Sequence, residues 1–375
     1  LNSYDFDFTV KNNAFLTINN KSINSNNTVT VESGGVVNLY AGTDSGRDYY
    51  GDFNITGTGN TNGPVNVAST ITTTGDADTL VQIHGTITLS GNSNILYRGN
   101  LTDISGGKIQ FGDDTDGTQT TAINLGSNTF TLLGKGSSNA AALREYEFFD
   151  LVTGTGTLDV DQYTKADFTN AQGGLGDSVN LDVQGTIELD TDDTIASLTG
   201  TSTGVVDLQG MTLTINPGSG VSSTYAGVIT DTTGTSNIIK SGAGSLTLTN
   251  ANTYSGNTTL SAGTIEIGND DALGTGNLVI SGGSKVSANS STARTLTNNL
   301  VFTNGGTVTM GDTTNNGSLS FGTATLYADT TTTVDSDVTI SQLVGNFAFT
   351  KNGSGTLTVS TTGSGGTGAT TINAG

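Results

Sequence analysis

Short runs in which every second residue is apolar, each closed by Gly or Asn, recur along almost the whole of this 375-residue chain. Examples are Thr28-Val29-Thr30-Val31 before Ser33-Gly34-Gly35, Thr86-Ile87-Thr88-Leu89 before Gly91, Thr186-Ile187-Glu188-Leu189, Thr212-Leu213-Thr214-Ile215 before Pro217-Gly218, and Thr307-Val308-Thr309-Met310. A period of two places Val, Ile or Leu on one face of a strand and Thr or Glu on the other, the pattern of a half-buried strand. Gly and Asn at the breaks supply the positive φ that tight corners need. Composition points the same way. The chain has 54 Gly, 2 Pro, no Cys and no Trp, and its abundant Thr, Gly, Asn and Ser sit low on the helix scale, whereas Thr, Val and Ile suit strands. Collagen would need Gly at every third position with much Pro, and zinc or disulfide scaffolds would need cysteine. The sequence reads as all-β.

Two stretches are related to each other. From Ile238 to Gly283 and from Phe349 to Gly375 the residues pair at an offset of 111: Lys240 with Lys351, Gly242 with Gly353, Gly244 with Gly355, Leu246 with Leu357 and Leu248 with Val359. Past the loop the offset becomes 112, pairing Leu260 with Ile372 and Gly263 with Gly375. One residue has been added in the loop, where insertions are tolerated.

Many short strands with Gly-rich corners fit either a sandwich or barrel, or a parallel β-helix. A solenoid grows without limit because each repeat contacts only its neighbours, and the pattern here runs from end to end. Residues 1–375 therefore read as one continuous β-helical rod. Rungs of roughly 20 to 25 residues predict about 15 to 18 rungs and a body some 70 to 90 Å long at about 4.8 Å per rung. The stretch 140–176, with Ala140-Ala141-Ala142-Leu143-Arg144 before Glu145-Tyr146-Glu147-Phe148-Phe149-Asp150, departs from the pattern and reads as an irregular excursion on the rod. The chain starts without Met, shows no basic n-region with an apolar core in Leu1 to Val10, and stops within a repeat, so it reads as a piece of something longer.

The clearest repeat region, 193–286, carries Gly242-Ala243-Gly244-Ser245-Leu246-Thr247-Leu248, then Asn252-Thr253-Tyr254-Ser255-Gly256-Asn257-Thr258-Thr259, then Ala262-Gly263-Thr264-Ile265 and Ala272-Leu273-Gly274. These residues resemble the passenger-associated repeat of bacterial autotransporters. The truncated copy, 347–375, keeps Gly353, Gly355 and Leu357 but loses the Asn-Thr-Tyr corner. The resemblance implies a right-handed, single-stranded parallel β-helix, secreted by the type V route and displayed on or shed from an outer membrane. It also implies a role in a passenger stem, many of which are adhesins. Beside it stands a physical reading of the same motif. Leu246, Leu248, Leu260, Ile265 and Ile267 point inward, each gaining about 1.5 to 3 kcal/mol on burial; Tyr254 belongs to the motif's corner; Gly242, Gly244, Gly256 and Gly263 take corners; Thr247, Thr249, Thr264 and Glu266 face solvent.

Chemistry is sparse. The one histidine, His84, lies beside Gly85 with no nucleophile motif near it, and a Ser/His/Asp triad needs more than that. The Gly-x-Gly strings are corner glycines, because no helix-forming segment follows them. Acidic clusters at Asp113-Asp114-Thr115-Asp116, Asp190-Thr191-Asp192-Asp193 and Asn269-Asp270-Asp271 are the candidates for glycoside chemistry, yet each lies in a break between strands and reads as a solvated corner. For calcium, Asp114-Thr115-Asp116-Gly117 lacks the first and closing ligands of a calcium loop. No catalytic residue, metal site or cofactor is expected. Thr-x-Thr strings raise the idea of a flat ice-binding array, but their irregular intervals along the sequence speak against one recurring on successive rungs.

Net charge is −21 from 12 basic and 33 acidic residues. Such a surface repels phosphate backbones and anionic lipid, so nucleic acid and direct membrane insertion are not expected. The reading is a non-enzymatic extracellular stem that projects or mediates adhesion at the cell surface, its partners a cell-surface protein or glycan. The alternative is a subunit that stacks on copies of itself, end to end, into a filament or surface layer; a polysaccharide-active β-helix enzyme is the third class.

Overall fold

The computed structural model describes residues 143–149, 151–168, 174–361 and 368–375 without a break, and before residue 143 a series of separate segments, most of them strands. The chain divides into two compact units, Leu1–Asp193 and Thr194–Gly375. Among the described residues there is no helix.

In the first unit each turn of chain lays down three short strands, and strands of successive turns pair in parallel ladders. Arg144–Phe148, Leu151–Thr153 and Thr157–Val160 make one turn; Thr164–Phe168, Gly174–Leu175 and Asn180–Val183 make the next. Their registers are Glu145↔Lys165, Val152↔Leu175 and Leu158↔Leu181. All of these strands fall in 140–176 or directly after it, so the described part of that stretch keeps the solenoid's register. The odd composition has a local cause. Phe111, Phe148 and Phe168 stack inside on successive turns, with ring centroids 4.9 and 4.6 Å apart, and Tyr146, fully buried, donates its hydroxyl to Leu133 O at 2.8 Å.

The second unit begins in the same way, with Val205–Asp207 pairing Val228–Thr230 in parallel. The ladder on that face ends there. Most later turns carry two strands and a corner, as in Asn237–Lys240 with Ser245–Leu248, then Thr258–Leu260 with Thr264–Ile267. Both ladders remain parallel, with Lys240↔Leu260 on one face and Leu246↔Ile265 on the other. Each unit is a parallel β-solenoid whose core is the inward set of every second residue, including Val29, Val31, Ile87, Leu89, Ile187, Leu189, Leu213, Ile215, Val308 and Met310, all buried.

Turn length departs from the expected 20 to 25 residues mainly in the first unit. Successive partners there lie from 19 residues apart (Ser3↔Ser22) to 37 apart (Ser93↔Phe130), against 19 (Ser245↔Thr264) to 25 (Leu213↔Ile238) in the second. Extra residues enter between strands, where they disturb no ladder.

Candidate functional site

The repeat motif builds its corner around a buried lysine. Lys240 ends a strand whose alternation turns its side chain inward, and its ammonium finds no carboxylate there. It donates instead to three carbonyls, Ser241 O at 2.6 Å, Gly242 O at 2.9 Å and, one turn on, Ala262 O at 3.1 Å. Three N–H donors meet three acceptors, so a side chain that is almost never fully buried unpaired is satisfied without a counter-ion. Burial pushes the amine down to about 8, which leaves it mainly charged at neutral pH. Lys351 repeats the arrangement in the second copy, donating to Asn352 O, Gly353 O and, at 2.5 Å, Ala374 O.

Glycine is needed over this ammonium for two reasons. Gly263 has φ of +71°, and a Cβ there would collide with the carbonyls of Gly242 and Gly244 and stand 2.8 Å from Lys240 Nζ. Gly375 holds the same place over Lys351, with φ of +88°. Gly244, Gly256 and Gly355 lack a positive φ, but a Cβ on any of them would meet backbone of the preceding turn.

The Asn-Thr-Tyr corner replaces the strand ladder that ends at Val228–Thr230. Asn252, buried, accepts from Ile229 N at 2.7 Å through Oδ1 and donates through Nδ2 to Ala272 O at 2.6 Å, joining three turns. Tyr254 is fully buried; its hydroxyl pairs with Thr258 Oγ1, which in turn donates to Leu273 O at 3.1 Å. Leu246, Leu248, Leu260, Ile265 and Ile267 line the interior, while Leu357 is half-buried. Thr247 differs from expectation. It is buried rather than solvent-facing, because Glu266 of the next turn lies over it and accepts its hydroxyl at 2.6 Å.

Among the described residues, the densest charge cluster lies in the first unit, on the outward side of Arg144–Phe148, Thr164–Phe168 and Thr186–Leu189. Lys165 Nζ stands 2.8 Å from Glu188 Oε2, 3.0 Å from Asp167 Oδ2 and 3.4 Å from Glu145 Oε1. Burial opposes its charge, but the hydrogen bonds to Glu188 and Asp167 outweigh that and hold it above the usual lysine value. Burial raises Asp167 to about 6, against the pull of Lys165. Glu145, Glu147 and Asp167 offer oxygens within 4.8 Å of one another, closer than the about 5 to 9.5 Å spanned by a glycosidase pair. With an ammonium among them, the arrangement is that of an ion-pair network.

The sequence's other acidic breaks serve the backbone. Asp193 accepts from Leu175 N at 2.9 Å and is raised to about 6 by burial; Asn269 Oδ1 accepts from Asp271 N at 3.0 Å, and Asp270 Oδ1 from Thr295 N at 3.2 Å. His84 and Asp113–Asp116 lie outside the described residues.

The reading of the Thr-x-Thr strings is corrected by register. Thr307, Thr331, Thr350 and Thr371 pair in one column across four turns, and Thr309, Thr333 and Asn352 pair in a second beside it. Irregular sequence intervals hide this alignment because the extra residues sit in corners.

Comparison with known proteins places the repeat. The family model described as passenger-associated-transport-repeat matches residues 238–267 and 349–375, the two segments that carry the lysine corner. An 88-residue stretch is 36% identical to the adhesin BmaC autotransporter of Brucella suis biovar 1 (strain 1330), covering 23% of this chain and 3% of that protein. No solved structure matches the chain. The chain thus carries autotransporter passenger repeats within a parallel β-solenoid, and its match spans a small fraction of its relative's length.

Proposed function

We propose that this chain is part of the extracellular, non-enzymatic stem of an autotransporter-like surface protein, secreted by the type V route, and that it projects or mediates adhesion. The observation that carries this reading is the pair of passenger-associated repeats with the same lysine corner in each. Their buried groups are spent on joining one turn to the next, which suits a stem. The adhesin name of the relative supports the adhesive part of the reading.

Purified chain applied to host or bacterial cells tests it. Saturable binding, a light-scattering mass that stays constant with concentration, and no reducing-sugar release from glycans are the expected results. Scattering that grows with concentration would move the function to filament assembly, and sugar release would move it to catalysis.

A further inference from the structure

Among the large apolar side chains left exposed in the described residues, two are aromatic: Tyr327, 62% exposed, and Phe347, 40% exposed. They occupy the same corner of adjacent turns. The register Thr325↔Val344 carries Tyr327 to a place beside Asn346, the residue before Phe347. Both stand just ahead of the strands Thr330–Val334 and Phe349–Asn352, which bear the Thr and Asn columns.

Outward positions on Gly306–Met310, Thr330–Val334, Phe349–Asn352 and Thr370–Ile372 hold no charged side chain. Lys351 on these strands points inward to its carbonyls. Of the charges near the rim, Asp329 Oδ1 accepts Ala348 N at 2.8 Å, Lys285, in register with Thr309, is paired with Asp312, and Asp335 directly follows Thr330–Val334 and adds negative charge at its end. In a chain of net charge −21, a neutral hydroxyl and amide face bordered by exposed rings is a distinct surface. It has no cations to hold an anionic polymer, and the surrounding field repels one. A neutral sugar chain meets both halves of it. Its C–H faces stack on aromatic rings, which combine an apolar body with low conformational entropy, and its hydroxyls exchange hydrogen bonds with Thr and Asn, which donate and accept.

We infer that the face formed by Thr309, Thr333, Thr350 and Asn352, with Tyr327 and Phe347 at its edge, binds a neutral polysaccharide. This rests on the adhesin-like reading and names a ligand class for it. The test is retention of the purified full chain by cellulose, curdlan and starch, with alginate as the anionic control. Tyr327→Ala/Phe347→Ala removes the two rings, and Thr333→Asp places a charge in the face. The expected result is retention by at least one neutral polysaccharide, weakened at least about tenfold in each variant, equivalent to about 1.4 kcal/mol, with unchanged circular dichroism and melting temperature. No retention by any neutral polymer, retention unchanged in the variants, or equal retention by alginate overturns the inference. Cell adhesion that persists in the variants also overturns it, while leaving the adhesin-like stem standing.

Discussion

Lys240 is the residue on which the repeat corner turns. Replacing it with Met keeps the stem's volume but leaves the carbonyls of Ser241, Gly242 and Ala262 without their shared donor. Each buried group left unpaired costs about 1 to 3 kcal/mol, so Lys240→Met is expected to lower the second unit's unfolding free energy, measured by urea denaturation, by at least that amount; an unchanged midpoint would mean the ammonium is not what closes the corner. Gly263→Val acts on the same spot from above. It combines a positive φ, itself costing about 1 to 3 kcal/mol for a branched residue, with collisions against two carbonyls, and a melting temperature equal to wild type would refute the geometry. The alignment of Lys240 with Lys351 is plain in the sequence. Its burial is not, because lysine is ordinarily a surface residue and nothing local to the strand names the carbonyls of a neighbouring turn as its partners.

Strands were the most legible elements, since alternation alone places Val29, Leu213 or Ile265 inside. What alternation cannot supply is contact between turns. Thr247 sits on the outward phase of its strand and is covered all the same, by a glutamate 19 residues later. The threonine columns escaped for the same reason: register depends on where corner residues are added, and only the folded chain counts them. Within the described part of 140–176, the aromatics Phe148 and Phe168 form an interior ring stack and Glu145 belongs to an exterior ion-pair network, both on strands. Phe148, between Phe111 and Phe168, is the centre of that stack. Phe148→Ala is expected to cost about 3 to 5 kcal/mol in calorimetric unfolding of the first unit, and a loss below about 1 kcal/mol would show that the stack collapses around the gap. At the Asn252 corner, Asn252→Ala strands the Ile229 amide and the Ala272 carbonyl; faster amide exchange at Ile229 is the expected signature.

At the scale of the molecule, acid and neutral pH favour different charge states of the first unit. Asp159, Asp167 and Asp193 are each raised by burial from the ordinary carboxylate value of 3.8 to about 6. Between these values the folded chain holds more protons than the unfolded one, so stability falls as pH rises through the window. Acidification from pH 7 to 4.5 is therefore expected to raise the first unit's melting temperature, and a fall would contradict the burial of these groups. Asp312 in the second unit runs the other way. Lys285 depresses it to about 2, so its stabilising contribution is present above about pH 4 and is lost only below that.

The functional claim is tested most directly by displaying the chain on bacteria, between a signal peptide and an outer-membrane translocator barrel, and counting adherent cells against the carrier alone. The account predicts that the chain reaches the surface, where external protease removes it, and that adherence rises and is lost on proteolysis. A chain that is exposed in full yet leaves adherence at the carrier's level would contradict it.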